Sequence, residues 1–184
     1  MDATPHVLLA GVGASRFAAE QGMAAITDPT WFTHAGTFDD NHPPGALAHG
    51  TVGCVVCDDQ GRLAGATSTS GVFAKLPGRV GDSPIIGAGA WADDEVAVSC
   101  TGQGGYFLRV SAASQLAFRM RFLGEGVGQA ARAVLGQIRA LGGDGGLIAV
   151  DARGQLAMPF VSQGMKRASW SMATGEVMAA AFND

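Results

Sequence analysis

The amino-acid sequence predicts an α+β fold in which a sheet is covered on one face by helices. Three observations carry that prediction: an apolar hairpin pattern over residues 52–68, two stretches of helical periodicity over 107–141, and a second hairpin pattern over 147–160. Strands, then a helix pair, then strands is the order such a layered arrangement produces. With 184 residues the chain is long enough for one core. A hydrophobic share of 47% against 15% charged points to a globular chain with a large partner surface.

Taken in order, Val7 to Ala10 form a short apolar run that reads as a strand, Gly11-Val12-Gly13 as a turn, and Ser15 as the cap of a helix running to about Gln21. From Asp28 to Gly50 the chain holds Pro29, Gly36, Pro43, Pro44 and Gly45 with few periodic apolar residues, which is linker composition. A boundary therefore falls just before Thr51. Val52 to Cys57, the turn Asp58-Asp59-Gln60-Gly61 and Leu63 to Ser68 read as a hairpin of buried strands with Thr51 at its leading edge.

Residues 75–89 carry too many glycines and prolines for a helix, and glycine at this density suggests backbone held close to a ligand or to another strand. Glu95 to Cys100 reads as a strand. Phe107 to Phe122 places Val110, Ala113, Ala117 and Met120 on one helical face, and Val127 to Leu141 does the same with Val134, Leu135 and Ile138. Leu147 to Val150, the turn Asp151-Ala152-Arg153-Gly154 and Leu156 to Phe160 form the second hairpin, followed by strands near Ala168 to Met172 and Val177 to Phe182. The Asp-x-x-Gly turns of the two hairpins are shared turn chemistry and not an internal repeat.

The composition excludes several function classes. A net charge of −4 and the lack of any Lys/Arg run interleaved with aromatics give no footprint for nucleic acid. No apolar run reaches the ~18 residues of a membrane span and no signal-type stretch opens the chain, so no membrane partner and a cytoplasmic location are expected. Cys54, Cys57 and Cys100 are an odd set, read as reduced. The Cys54-x-x-Cys57 pair is half a zinc site with no second pair, and on a strand residues three apart face opposite sides. Two packed core thiols, and no metal or cofactor, are the expectation.

Four short stretches carry possible chemistry, each with an ordinary alternative. Thr51, between a linker and a strand, is either a packed β-branched residue or an exposed nucleophile. Thr67-Ser68-Thr69 sets three hydroxyls after a strand, for capping a turn or touching a ligand. Arg79 and Asp82 set a guanidinium and a carboxylate three residues apart on a glycine-supported loop, where they can simply pair with each other. Thr101-Gly102-Gln103-Gly104-Gly105 is a plain turn or a set of N–H groups aimed at an anion.

In combination and in this order, His49-Gly50-Thr51-Val52-Gly53, Ala66-Thr67-Ser68-Thr69, the block from Lys75 through Gly78-Arg79-Val80-Gly81-Asp82-Ser83-Pro84 to Gly89, and Ser99-Cys100-Thr101-Gly102 strongly resemble the plant-type asparaginases, also called isoaspartyl peptidases. The resemblance continues through 140–151 to Met158-Pro159-Phe160 and backward to His6-Val7-Leu8-Leu9. It implies an N-terminal nucleophile hydrolase with an αββα four-layer sandwich, made as a precursor that cuts itself before Thr51. It further implies roles: Thr51 as nucleophile, Thr69 as the hydroxyl that orients it, and Thr101 with the Gly102 N–H as the oxyanion hole. Arg79 would hold the substrate α-carboxylate, and Asp82 with the Gly104 carbonyl its α-ammonium. Substrates would be asparagine or β-aspartyl peptides with free α-amino and α-carboxyl groups.

Family members carry a longer segment before the threonine, with a sodium-binding loop. The first residues here resemble an internal stretch of that segment, so the expectation is that most of the N-terminal part is missing. Residues 1–50 then read as the end of the N-terminal (alpha) subunit plus a flexible linker, and 51–184 as the C-terminal (beta) subunit. The complete form is expected to be a homodimer of processed heterodimers. The sequence departs from the family pattern at Gln103 and Gly105, which replace a threonine and a glutamate, at Val12, where a glutamate is common, and at Val161-Ser162-Gln163, which replace Asn-Thr-Glu. Two other readings stand beside the hydrolase: a catalytically silent interaction module, and a related glycosylasparaginase or threonine aspartase.

Overall fold

The computed structural model describes residues 3–4, 8–25, 27, 50–72, 75–76 and 78–182. The chain falls into two compact units, Met1–Ala46 and Leu47–Asp184. The linker expected over 28–50 lies, apart from Gly50, outside the described residues.

The first unit contributes one described element, helix α1 (Gly11–Glu20). It begins four residues before Ser15. The Ala10 carbonyl accepts the Ala14 N–H at 3.4 Å, so the first turn closes over the glycines and Ser15 sits inside the helix instead of capping it. At the far end Gly22 adopts φ +73° and the Met23 N–H returns to the Ala18 carbonyl, the left-handed stop that glycine permits. Residues 8–10 form no strand; Val7 lies outside the described residues.

In the second unit β1 (Val52–Cys57) and β2 (Leu63–Ser68) form the expected antiparallel hairpin, in register from Val52 opposite Ser68 to Cys57 opposite Leu63. Its turn is fastened by Asp58, whose carboxylate accepts the backbone N–H of Arg62 at 2.8 Å and of Gln60 at 2.9 Å. The backbone bond from Arg62, then its guanidinium, holds the Asp58 carboxyl below the usual range.

Four strands, β3 (Ala90–Ala92), β4 (Val96–Gly102), β5 (Gly145–Asp151) and β6 (Leu156–Ala157), build an antiparallel sheet in that spatial order. The helices α2 (Gly104–Val110), α3 (Ala112–Leu123) and α4 (Val127–Ala140) connect β4 to β5. The period-two alternation of the strands divides the sheet's faces. Val96, Val98, Cys100, Leu147 and Ala149 point into one core with Phe107, Leu116, Val134, Leu135 and Ile138 of the helices. Ser99 and Ile148 point the other way, toward the β1–β2 hairpin, which packs on that face.

Glycine sets how closely the hairpin lies. A Cβ on Gly53 would overlap Ser99 Oγ and stand 2.9 Å from Ser99 Cβ, and one on Gly65 would press the Trp91 and Val98 carbonyls at 3.4 and 3.5 Å. Gly53→Ala is therefore expected to destabilise the protein by roughly 1–3 kcal/mol, the usual cost of overpacking a tight contact. Urea unfolding reads this directly, and an unchanged midpoint would mean the hairpin can lift off β4 at no cost.

Several expectations need correction. The hairpin strands are not buried: Val52 is 71% and Val56 50% exposed on the side turned away from β4. Cys54 is exposed with them and Cys57 only half-buried, so Cys100 alone of the three free thiols is a core residue. The helix expected over 107–122 is two helices, broken at Ser111 with φ +49°. The N–H groups of Ala113 and Ser114 donate to the carbonyls of Ala88 and Gly87 at 3.3 and 2.8 Å, and an unbroken helix would have used those amides internally.

β6 stops at Ala157 because Pro159 has no N–H to extend a ladder, leaving Phe160 an isolated bridge to Gly146. β3 was not anticipated; three residues are too few for a periodic pattern. Its turn into β4 is held by Asp93, whose carboxylate accepts the Trp91 indole N–H and the Glu95 and Val96 amides, each at 2.9 Å. Burial pushes that carboxyl up, but these donors and Arg121 outweigh it and leave it below the usual range. The last pair, β7 (Arg167–Trp170) and β8 (Val177–Ala180), is a separate two-stranded hairpin. Arg167 lies over the Phe160 ring at 5.0 Å. Among the described residues no helix is long and apolar enough to cross a membrane.

Candidate active site

The hairpin register places Thr51 and Thr69 opposite each other, one pair beyond Val52 and Ser68. The Thr51 hydroxyl donates to Thr69 Oγ1 at 3.2 Å, and Thr69 Oγ1 also accepts the Gly71 N–H at 3.0 Å. Thr69 thus caps the turn after β2 and touches Thr51 with the same oxygen. Gly50, whose carbonyl precedes Thr51, is exposed, and no described residue beyond its neighbours in the chain lies within 4 Å of where a Cβ on it would stand.

Arg79 and Asp82 converge on the start of α2. A Cβ on Gly104 would overlap Asp82 Oδ1 and lie 3.2 Å from Arg79 Nη2, so the guanidinium and the carboxylate both stand over the Gly104 α-carbon. Asp82 is 5% exposed and Arg79 half-buried. Glycine makes this loop possible: a Cβ on Gly89 would overlap the Asp82 carbonyl, and one on Gly81 would come within 2.7 Å of Arg79 Nη1. Burial first, and the Asp82 carboxylate second, push the Cys100 thiol well above its usual value, which keeps it an inert core group.

Thr101 and Gly102 end β4. Gly102 takes φ +142°, and a Cβ there would overlap the Asp144 carbonyl, so only glycine fits. The Cys100 N–H donates to the Gly89 carbonyl at 2.8 Å while the Gln103 N–H donates to Asp144 at 2.9 Å. Antiparallel strands turn alternate N–H groups to opposite edges, so the Gly102 N–H shares the Cys100 edge, faces away from β5 and lies past the end of β3. Thr101, two residues after Ser99, points to the hairpin face.

A cavity of about 420 Å³ is lined by Thr67, Ser68, Thr69, Ser70, Lys75 and Arg79, among others. The oxygen that meets Thr51 and the cation of the loop therefore open onto one space. Thr51, Asp82, Thr101, Gly102 and Gly104 are not among its walls. A second cavity of the same volume lies at the opposite end of β4 and β5, beside Asp94, Glu95, Glu125 and Asp151. Its Glu125 is paired with Arg119, and Arg121 bridges Asp94 and Glu95, which is ion-pair scaffolding. Among the described residues no three His, Cys, Asp or Glu side chains gather to hold a metal.

One residue of this region received no role from the sequence. Ser99 is 3% exposed and its hydroxyl lies 2.7 Å from that of Thr67, and Gly53 packs against it. The available signal was a single serine inside the otherwise apolar run Val96-Ala97-Val98-Ser99-Cys100, since a buried hydroxyl requires a partner.

The chain is 46% identical to the isoaspartyl peptidase of Salmonella typhimurium, over 94% of this chain and 60% of the relative. It is 43% identical to that of Escherichia coli, over 94% and 59%, and 39% identical to the isoaspartyl peptidase/L-asparaginase of Bos taurus, over 90% and 57%. The chain thus spans about three fifths of the length of these relatives. A family model described as asparaginase matches residues 35–179, a stretch that contains the hairpin, the glycine loop and the end of β4, and the chain belongs to the asparaginase family.

Proposed function

We propose that this chain carries the nucleophile of a threonine amidohydrolase that cleaves itself at Gly50–Thr51 and hydrolyses L-asparagine and β-aspartyl peptides. The observation that carries the reading is the 3.2 Å contact between the Thr51 and Thr69 hydroxyls at the head of the hairpin. Residues 1–50 are read as the end of an alpha subunit and its linker, and 51–184 as the beta subunit. The helices, sheet and hairpin are read as three layers of an αββα sandwich. The complete protein is read as a homodimer of processed heterodimers.

The chemistry follows from one hydroxyl used twice. Thr51 Oγ attacks the Gly50 carbonyl, the acyl group moves from nitrogen to oxygen, and water hydrolyses the ester to leave Thr51 with a free α-amine. That amine, with an ordinary pKa of about 7.7–8.0, is neutral in roughly a fifth to a third of molecules near pH 7.4, and the neutral form accepts the proton of its own hydroxyl. Cleavage thereby creates the general base, and the reaction calls for no cofactor. Thr69 orients the attacking oxygen, and the Thr101 hydroxyl with the outward Gly102 N–H receives the developing oxyanion.

Arg79 and Asp82, brought together over Gly104, take the α-carboxylate and α-ammonium of the substrate. The side-chain amide or isopeptide carbonyl is then presented to Thr51. The test is aspartate release from a β-aspartyl dipeptide and from L-asparagine, with the same α-linked dipeptide as control. Release from the first two alone supports the reading; no release from either by protein already cut at Thr51 contradicts it.

A further inference from the structure

The three parts of this site come from distant stretches of chain, and one side chain touches all of them. Thr67 lies on β2 two residues before Thr69 and on the same face. Its Oγ1 is 2.7 Å from Ser99 Oγ, two residues before Thr101 on β4, and it donates to the carbonyl of Gly89 at 3.4 Å. That carbonyl closes the loop bearing Arg79 and Asp82, and it also accepts the Cys100 N–H at 2.8 Å. The hydrogen positions that satisfy every group run in one direction: Ser99 O–H to Thr67, and Thr67 O–H to Gly89.

Resting on the functional reading above, we infer that Thr67 and Ser99 are positioning residues, a hydroxyl relay that holds the nucleophile hairpin, the head-group loop and the oxyanion strand in register. Neither touches the reacting atoms. The pair sits one strand step behind Thr69 and Thr101, so a shift at the relay is passed to the gap between nucleophile and oxyanion donors. Ser99 is almost fully buried, and the hairpin is drawn onto it so closely that only glycine fits at position 53. Ser99 is closed off from water and depends on Thr67 for its hydrogen bond, whereas Thr67 is half-buried and also lines the 420 Å³ cavity.

The experiment compares Thr67→Val, Ser99→Ala, the double variant and Thr67→Ser in the self-processed protein, reading kcat and KM on a β-aspartyl dipeptide together with the urea midpoint. Thr67→Val keeps the shape and removes the hydroxyl; kcat is expected to fall by about 10- to 100-fold, the scale of a small misplacement, with KM changing far less. Thr67→Ser should restore most of kcat, because it keeps the oxygen. In the double variant no buried hydroxyl is left without its partner, so stability should return toward the parent while kcat stays as low as in Thr67→Val.

A kcat for Thr67→Val within twofold of the parent would overturn the inference. So would a kcat that recovers together with stability in the double variant, or a Thr67→Ser that fails to rescue, since each would make the pair ordinary packing. A parent protein that neither cleaves nor hydrolyses would instead overturn the functional reading, and this inference with it.

Discussion

Thr51→Ala is expected to abolish both the cut at Gly50–Thr51 and the turnover of substrate, because one hydroxyl performs both attacks. Removal of a nucleophile from a comparable hydrolase costs on the order of 10⁶ in rate, so a loss of at least about 10⁴-fold is expected here. Thr51→Ser keeps an oxygen at the same place and should retain part of each activity. A denaturing gel reads the cleavage and aspartate release reads the turnover. Normal processing in the alanine variant would remove Thr51 from the role, and Thr69, which lies 3.2 Å away, would be the next hydroxyl to test.

Arg79→Lys separates the two reactions. Lysine keeps the charge but not the planar fork that matches a carboxylate, so kcat/KM for β-aspartyl dipeptides should fall by roughly 10- to 100-fold. Self-cleavage should persist at close to its normal rate, because the scissile peptide is held by the chain on either side of it and presents no α-carboxylate. Hydrolysis with unchanged kinetics in the lysine variant would show that Arg79 does not grip the substrate. Loss of self-cleavage to the same degree would show that Arg79 acts on the fold of the loop and not on the ligand.

The elements that sequence reading placed well are those whose pattern is local. The β1–β2 hairpin follows from an Asp-x-x-Gly turn between two apolar runs, and α4 from unbroken periodicity over Val134, Leu135 and Ile138. What the sequence could not give depends on distant partners. The break at Ser111 arises because the Gly87 and Ala88 carbonyls capture the amides that a continuous helix would use. The exposed outer side of the hairpin, with Val52, Cys54 and Val56, reads as a buried strand by composition, since apolar residues signal burial without saying what covers them.

The site divides in the same way. Thr51 opposite Thr69 follows from the hairpin register, and the glycines of the 78–89 loop announced a close approach. That Arg79 and Asp82 meet over Gly104 could be expected only from the family resemblance, because it joins a loop to a helix start some twenty residues on. The contact between Thr67 and Ser99 escaped both routes: it joins two strands face to face, a relation that neither periodicity nor turn chemistry encodes.

The most direct test of the account is the mass and N-terminal sequence of the purified, unsubstituted protein. The account predicts two polypeptides, one of them beginning at Thr51 and running through Asp184, with a free threonine amine. A single intact chain in which Thr51 remains joined to Gly50 after prolonged incubation, in protein that is folded by its unfolding transition, would contradict it.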